Sequence, residues 1–158
     1  MKAIVITALF ITITAHARVN WTPQQMEQKY GKPTGTIKIA DLEFQIYTQT
    51  VDKKTYTIKA HYSKYAKVDM IHYKPDKGFL SPAEVHGILK NHQTGFTGDW
   101  EKQFTGISTT GEWKNKRYHA RVKVFEGLVI TTTATWDQYH AALKSDQEAT
   151  KIDTSEAF

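Results

Sequence analysis

The chain has 158 residues, no cysteine and a formal net charge of +5. Without cysteine it has no disulfide, no cysteine nucleophile, no cysteine-based metal site and no lipidated N-terminal cysteine. The modest positive charge favours weak attraction to anionic partners, whereas the chain lacks the clustered Lys and Arg that nucleic-acid binding requires.

The first residues have the composition of a secretory signal peptide. Lys2 precedes an uncharged, mostly apolar run, and Ala15-His16-Ala17 fits the small-x-small cleavage pattern. The run is short and rich in Thr for a helix that spans a bilayer. We predict a signal peptide over 1–17, one α+β domain over 18–145, and a periplasmic or secreted protein without a transmembrane segment after cleavage. A buried N-terminal strand and an uncleaved anchor are the alternatives.

Two short helices are predicted from the same capping pattern. Thr22-Pro23-Gln24-Gln25 and Ser81-Pro82-Ala83-Glu84 each supply a hydroxyl cap, a Pro at the first helical position and a Gln or Glu that can bond back to the cap. The first helix is expected to end at Gly31. The recurrence suggests two αβββ-type repeats at 20–78 and 79–135, and chance recurrence is the alternative.

Period-2 alternation predicts strands between and after these helices. Residues 42–46 and 56–62 alternate between apolar and polar side chains. A third strand is predicted over 67–73, with a β-bulge because its apolar residues do not alternate cleanly. Residues 93–116 are rich in glycine and indicate a loop with short strands.

A long hairpin follows, and its register can be predicted. A loop at Phe125-Glu126-Gly127, with Gly127 in the left-handed conformation, pairs Val124 with Leu128. This register places the apolar residues on one face. Burial stabilises the fold by about 2 kcal/mol for each large apolar side chain, and this favours the three-residue loop over a two-residue loop. The opposite face then carries the candidate binding residues Arg117, His119, Arg121, Lys123, Thr131 and Thr133.

The spacing of these basic side chains predicts a surface that binds anions. Alternate strand residues recur about every 6.6 Å, so the four basic side chains span roughly 20 Å of one sheet face. Such a surface could hold an acidic protein or an anionic glycan, with the two Thr hydroxyls as donors. Lys59 and His61 extend it if both halves of the chain share one sheet. A solvated sheet face without a ligand is the alternative.

A third capping box predicts a closing helix. Thr135-Trp136-Asp137-Gln138 opens a helix over 136–145, with Trp136 and Tyr139 on one stripe. The polar residues 146–158 predict a flexible tail. The fold class predicted for the chain is therefore α+β, an antiparallel sheet of about six strands with three short helices.

The first helix resembles a known pattern at Thr22, Met26, Gly31 and Pro33. It is similar to the opening helix of small outer-membrane assembly lipoproteins of the SmpA/OmlA type, in which a Thr or Ser cap leads to a short helix closed by Gly-x-Pro. The tandem-repeat β-lactamase-inhibitory proteins look like a doubled version of such a unit. The resemblance implies a non-enzymatic scaffold that binds proteins or envelope components. The chain departs from it by having no lipidation cysteine and no Gly-x-Pro after the second helix.

Motifs for chemistry are missing from the sequence. There is no Gly-x-Ser-x-Gly, no phosphate-binding glycine loop and no tight ligand pattern among the histidines after residue 17, which are His61, His72, His86, His92, His119 and His140. We therefore predict no catalytic residue, no metal ligand and no cofactor. The predicted function is an exported non-enzymatic binding protein that uses an exposed antiparallel sheet face. A hydrolase of envelope polymers and a structural component of an envelope assembly are the alternatives.

Overall fold

The computed structural model describes residues 19–39, 41–93, 98–103, 110–123 and 126–141. The predicted signal peptide and flexible tail lie outside the described residues, as do the last four positions of the predicted closing helix. Within the described ranges, no helix is long and apolar enough to cross a membrane.

The described chain forms one antiparallel sheet and three helices, which confirms the predicted α+β class. The helices are α1 (Pro23–Tyr30), α2 (Pro82–Asn91) and α3 (133–141). The strands are β1 (Gly35–Ile39), β2 (Leu42–Val51), β3 (Lys54–Tyr62), β4 (Val68–Pro75), β5 (Glu101–Gln103), β6 (Thr110–Lys114), β7 (Tyr118–Lys123) and β8 (Gly127–Thr132). Their order in the sheet is β1-β2-β3-β4-β8-β7-β6-β5.

The predicted count of about six strands is wrong, because the described residues form a sheet of eight strands. The two outermost strands explain the difference. Every residue of β5 is exposed, and so are four of the five residues of β1. A strand that buries neither face gives no period-2 hydrophobic signal in the sequence. Each of α1 and α2 is followed by four strands rather than by the predicted three.

The capping boxes of α1 and α2 are confirmed. The hydroxyl of Thr22 accepts from the Gln25 amide and the Gln25 side chain accepts from the Thr22 amide, at 3.2 and 2.9 Å. Ser81 and Glu84 make the same two bonds at 3.3 and 2.7 Å. Gly31 closes α1 with φ +78°, a left-handed value that suits glycine. These local signals are strong because both partners lie within one turn of the chain.

The predicted β-bulge is confirmed in β4. Met70 pairs with His61 and Val68 pairs with Tyr62, so Asp69 is the extra residue between two consecutive pairs. The bulge explains why Val68 and Met70 face opposite sides of the sheet although they are two residues apart.

Helices cover both faces of the sheet. Met26 of α1 and Val85, Ile88 and Leu89 of α2 pack in the main core with side chains from one face of the sheet. These sheet side chains include Tyr47, Ile58, Ile71, Leu128 and Ile130. Tyr139 of α3 packs on the opposite face, against the smaller cluster of Leu42, Phe44 and Met70. The central strand β4 is therefore buried on both faces.

The predicted faces of the hairpin are confirmed for residues 118–123 and 127–132, and the predicted pairing is wrong. Val122, rather than Val124, pairs with Leu128, and Lys123 pairs with Gly127, whose φ is +96°. Val124 and Phe125 lie outside the described residues. A shift of two residues preserves the face on which each side chain lies, because the side-chain period of a strand is two.

The closing helix begins three residues earlier than predicted. The hydroxyl of Thr132 accepts from the Thr135 amide at 3.3 Å, so Thr132 caps α3 and the helix starts at residue 133. Thr135 instead donates its hydroxyl to the Asp69 carboxylate at 3.0 Å. A tertiary contact therefore takes the hydroxyl that the sequence pattern assigns to the cap.

Candidate functional site

Strand β7 places His119, Arg121 and Lys123 on the face that α3 covers. Each of them pairs with a residue of the neighbouring strand β8, and Arg121, for example, pairs with Val129. Arg121 and Lys123 are half-buried rather than fully exposed. The predicted open basic plane is therefore partly covered by a helix, and the uncovered part is a cleft.

His119 lies under α3. Its ring stacks on Trp136, with the ring centroids 5.5 Å apart and an interplanar angle of 17°. Its Nε2 atom is buried and has no hydrogen-bond partner within the part of the chain that the structure describes. Burial lowers the pKa of His119, and the nearby cation Lys114 adds to the effect. His119 consequently belongs to the contact between helix and sheet rather than to an open surface.

The other three predicted residues do not contribute to the open part of this face. Arg117 is exposed but precedes β7, in a turn where the Asn115 side-chain oxygen accepts from two backbone amides. Thr131 is fully buried, and its hydroxyl donates to the backbone oxygen of Asp69 at 3.0 Å. Thr133 is the first residue of α3 and is exposed. The chain leaves the sheet after Thr132, so strand alternation does not extend to Thr133.

A cleft opens between α3 and the sheet, and we call it the α3 cleft. Its volume is about 450 Å³, part of which is open to solvent. Strands β4 and β8 provide its floor, β7 and the hairpin turn provide one side, and α3 provides aromatic side chains. Its lining residues are His72, Arg121, Lys123, Glu126, Gly127, Val129, Trp136, Tyr139 and His140.

Two ion pairs order the basic side of the α3 cleft. The Arg121 side chain lies 3.3 Å from the Glu112 carboxylate of the neighbouring strand β6. Lys123 Nζ lies 2.9 Å from the carboxylate of Glu126 in the turn. Partly exposed pairs of this kind contribute little stability, so the cations stay available to a stronger anionic partner.

The two halves of the chain share one sheet, so Lys59 joins the same face. Lys59 pairs with His72, His72 pairs with Val129, and Val129 pairs with Arg121. Lys74 follows two residues after His72 on β4 and is exposed. The sequence pattern missed Lys74, because only the pairing of β4 with β8 brings it beside the hairpin.

His72 is a neutral member of this row at neutral pH. Burial is the main cause that lowers its pKa to about 4, and the charges of Lys59 and Lys74 lower it further. Its Nε2–H donates to the backbone oxygen of Glu126. This bond partly offsets the fall in pKa and fixes the ring against the hairpin turn.

Asp69 attaches α3 to the sheet. Its carboxylate accepts from His61 Nδ1 at 2.6 Å and from the Thr135 hydroxyl at 3.0 Å. His61 was predicted to extend the basic surface, but its side chain instead binds the Asp69 carboxylate. Asp69 therefore holds the first turn of α3, through Thr135, on the face of the sheet that contains the cleft.

A second pocket lies on the other face of the sheet. His86, Leu89 and Lys90 of α2 border a pocket with Trp100 and Trp113. The indole of Trp100 donates to the Leu89 backbone oxygen at 2.8 Å, which fixes that ring. Residues 94–97, which adjoin the pocket in sequence, lie outside the described residues.

Acidic and metal-binding groups are sparse at these sites. Over the described residues, no group of three or more His, Asp or Glu could hold a metal ion. Each of the two clefts is lined by one carboxylate, Glu126 in the first and Asp99 in the second. The chemistry that the α3 cleft offers is therefore positive charge beside aromatic rings.

Comparisons with protein-family models, with curated proteins and with solved structures gave no match for this chain.

Proposed function

We propose that this chain is an exported, non-enzymatic binding protein that holds an acidic protein or an anionic glycan at the α3 cleft. The observation that carries the proposal is the cleft itself, where Arg121 and Lys123 lie beside Trp136 and Tyr139. Cations supply attraction to an anionic group, and aromatic rings supply contact area with little loss of conformational entropy.

The arrangement of carboxylates supports binding over hydrolysis. A glycosidase-type mechanism uses two carboxyl groups on either side of the bond to be cleaved, about 5 to 10 Å apart. Among the described residues that line the α3 cleft, Glu126 is the one carboxylate, and it is paired with Lys123. The Glu112 carboxylate beside the cleft is paired with Arg121. A structural component of an assembly would expose a contiguous apolar patch. The exposed large apolar residues in the described ranges are Ile37, Val51, Tyr65 and Phe79, which lie on different elements and loops.

The proposal includes a tandem repeat of two αββββ units. It is supported by the element order, in which α1 precedes β1 to β4 and α2 precedes β5 to β8. It is also supported by the strand order, in which the two sets run outward from the central pair β4 and β8. A doubled scaffold of this kind agrees with the resemblance to tandem-repeat inhibitory proteins and to SmpA/OmlA-type units.

Export to the periplasm or medium is part of the proposal and is supported by the composition of residues 1–17. N-terminal sequencing of the protein recovered from its native host is expected to give Arg18 as the first residue. A chain that begins at Met1 would contradict export by a cleaved signal.

The binding proposal is tested with two defined polyanions, poly-L-glutamate and an oligogalacturonate. Titration by calorimetry or by amide chemical shifts is expected to show saturable binding that weakens with added salt. The double variant Arg121→Gln, Lys123→Gln is expected to weaken binding about tenfold, because each charge contributes a modest attraction at a partly exposed site.

A matched control is Lys102→Gln. Lys102 is exposed and pairs with Trp113, which lies on the opposite face of the sheet. The Lys102→Gln variant should bind both polyanions as tightly as the wild type does. The proposal fails if neither polyanion binds, or if the double variant binds as tightly as the wild type.

A further inference from the structure

Lys59 and Lys74 lie beside the α3 cleft. Within the described ranges, neither lysine forms an ion pair with a carboxylate. By contrast, Arg121 and Lys123 each form an ion pair. Asp76, two residues after Lys74 on the same strand side, accepts a hydrogen bond from the Thr57 hydroxyl at 2.8 Å. Thr57 pairs with Lys74, so the Asp76 carboxylate lies beside Lys74 without forming an ion pair with it.

The register brings these two cations close together. Lys59 pairs with His72, and Lys74 lies two residues further along β4 on the same face. Diagonal neighbours of this kind are about 7 to 8 Å apart at their backbones, within reach of long side chains. The two ammonium groups can therefore contact one shared ion.

A space beside Lys74 completes the cluster. The next step of the β4–β8 register brings Gly127 opposite Lys74, and Gly127 pairs with Lys123 on its other side. A Cβ atom at Gly127 would lie 3.0 Å from His72 Nε2 and 3.1 Å from the Lys74 Cα. Lys74 and Lys123 are thus separated by a residue without a side chain, across about 10 Å of sheet.

The electrostatics of the cluster agree with this geometry. Burial lowers the pKa of Lys59, and the positive charge of Lys74 lowers it further. Both lysines also lower the pKa of His72, after burial, whereas the Glu126 carboxylate raises it. An anion placed among them would relieve the repulsion between the two ammonium groups.

We infer that Lys59, Lys74 and Lys123 form an oxyanion site above Gly127 and His72. It holds a single carboxylate or sulfate group, and the neutral His72 ring forms its floor. The inference rests on the proposed function, because it names the chemical group by which the α3 cleft recognises its partner. Lysine suits this role because its ammonium is a compact charge on a flexible stem.

The site is tested with small anions and the full chain. Sodium sulfate and sodium acetate are titrated against sodium chloride at equal ionic strength, and amide and imidazole chemical shifts are recorded. We expect saturable shifts at the Gly127 amide and the His72 ring with sulfate or acetate, and smaller, non-saturating shifts with chloride. Comparison of the two anions shows which oxyanion the site prefers.

Variants assign the shifts to the site. Lys74→Gln is expected to weaken the affinity for the preferred anion about threefold, and Lys59→Gln with Lys74→Gln about tenfold, from the usual strength of partly exposed charge pairs. Lys102→Gln serves as the control. The inference is overturned if chloride shifts Gly127 and His72 as much as both oxyanions do, or if the double variant titrates like the wild type.

The outcomes separate this inference from the proposed function. Polyanion binding that depends on Arg121 and Lys123, with no effect of Lys59 and Lys74, overturns the oxyanion site and retains the binding protein. Saturable sulfate binding at Gly127 without binding of either polyanion retains the oxyanion site and overturns the proposed partner class.

Discussion

Gly127 satisfies two requirements that a residue with a side chain cannot meet together. Its φ of +96° lies in the region that L-residues rarely adopt. A Cβ atom there would also overlap the backbone oxygen of Tyr73. The left-handed turn is predictable from the sequence, because glycine after a short loop favours it. The close approach of β4 is not predictable, since it depends on a strand more than fifty residues earlier.

Replacement of Gly127 should therefore be costly. Gly127→Ala is expected to lower the free energy of unfolding by about 3 kcal/mol, from backbone strain together with displacement of β4. Urea unfolding measures this change. Gly35→Ala is the matched control, because a Cβ at Gly35 contacts nothing within 4 Å. A Gly127→Ala protein as stable as Gly35→Ala would contradict the strand contact described for Gly127.

Glu84 belongs to both a helix cap and an ion pair. Its carboxylate accepts from Lys54 at 2.7 Å, from the Tyr56 hydroxyl and from the Ser81 amide. Burial alone would raise the pKa of Glu84, but these hydrogen bonds outweigh burial and lower that pKa to about 2. A group with a lowered pKa stabilises the folded chain above its ordinary pKa and loses that effect as the pH falls.

The stability of the folded chain at acid pH should depend on the ionisation of Glu84. From the ordinary value of 4.5 down to about 2, the folded chain should progressively lose the contribution of this carboxylate. Glu84→Gln retains the capping bond, as Gln25 does in α1, and is expected to cost about 1 to 2 kcal/mol at pH 7 after allowance for solvent screening. The cost should shrink toward pH 2 in urea unfolding. Equal costs of Glu84→Gln at pH 7 and pH 2 would contradict this role of the ionised carboxylate. Glu43→Gln, at an exposed position, serves as the control.

Helix α3 shows how an element can be predicted while its start is not. Thr132, Thr133 and Thr135 are all acceptable caps, and the local pattern favours Thr135 because Gln138 follows three residues later. The structure uses Thr132, because Asp69 binds the Thr135 hydroxyl from a distant strand. In α1 and α2 the hydroxyls of Thr22 and Ser81 make the predicted capping bonds, so the local sequence signal was sufficient there.

The position of this cap can be tested directly. Thr132→Ala is expected to lower the free energy of unfolding by about 1 kcal/mol, since it removes the acceptor for the Thr135 amide. Thr133→Ala should change it by less than about 0.5 kcal/mol, because that side chain is exposed. Urea unfolding followed by tryptophan fluorescence measures both variants. An equal loss from the two substitutions would place the cap elsewhere.

At the scale of the whole molecule, β4 and β8 join the two sets of strands. Ile71 pairs with Ile130 and Tyr73 with Leu128, and all four lie in the main core. Because one core includes both sets, neither set buries its central strand alone. The sequence predicts the hydrophobic faces of these strands, but the β4–β8 pairing joins residues far apart in the chain. Lys123 comes beside Lys59 and Lys74 only through that pairing, which is why Lys74 had no sequence signal.

A shared core predicts one cooperative unfolding transition. Trp21 packs on the main core from the first half of the chain and Trp113 from the second. Variants that retain only Trp21 or only Trp113, with the other tryptophans changed to Phe, are expected to report the same urea midpoint as circular dichroism does within each variant. Two separate midpoints within a variant would show that the halves unfold independently.

The Asp69 bulge has a consequence for how this surface could change. The strand pairs on either side of Asp69 are consecutive, so the ladder would be regular if this residue were missing. Its backbone oxygen and carboxylate instead receive the hydroxyls of Thr131 and Thr135. Deletion of Asp69 is thus expected to separate two properties that usually change together: the sheet would keep every neighbour, while the third helix would lose the hydrogen bond that connects its first turn to the sheet. A single bulge residue in β4, rather than a particular strand order, thus connects the third helix to this face of the sheet.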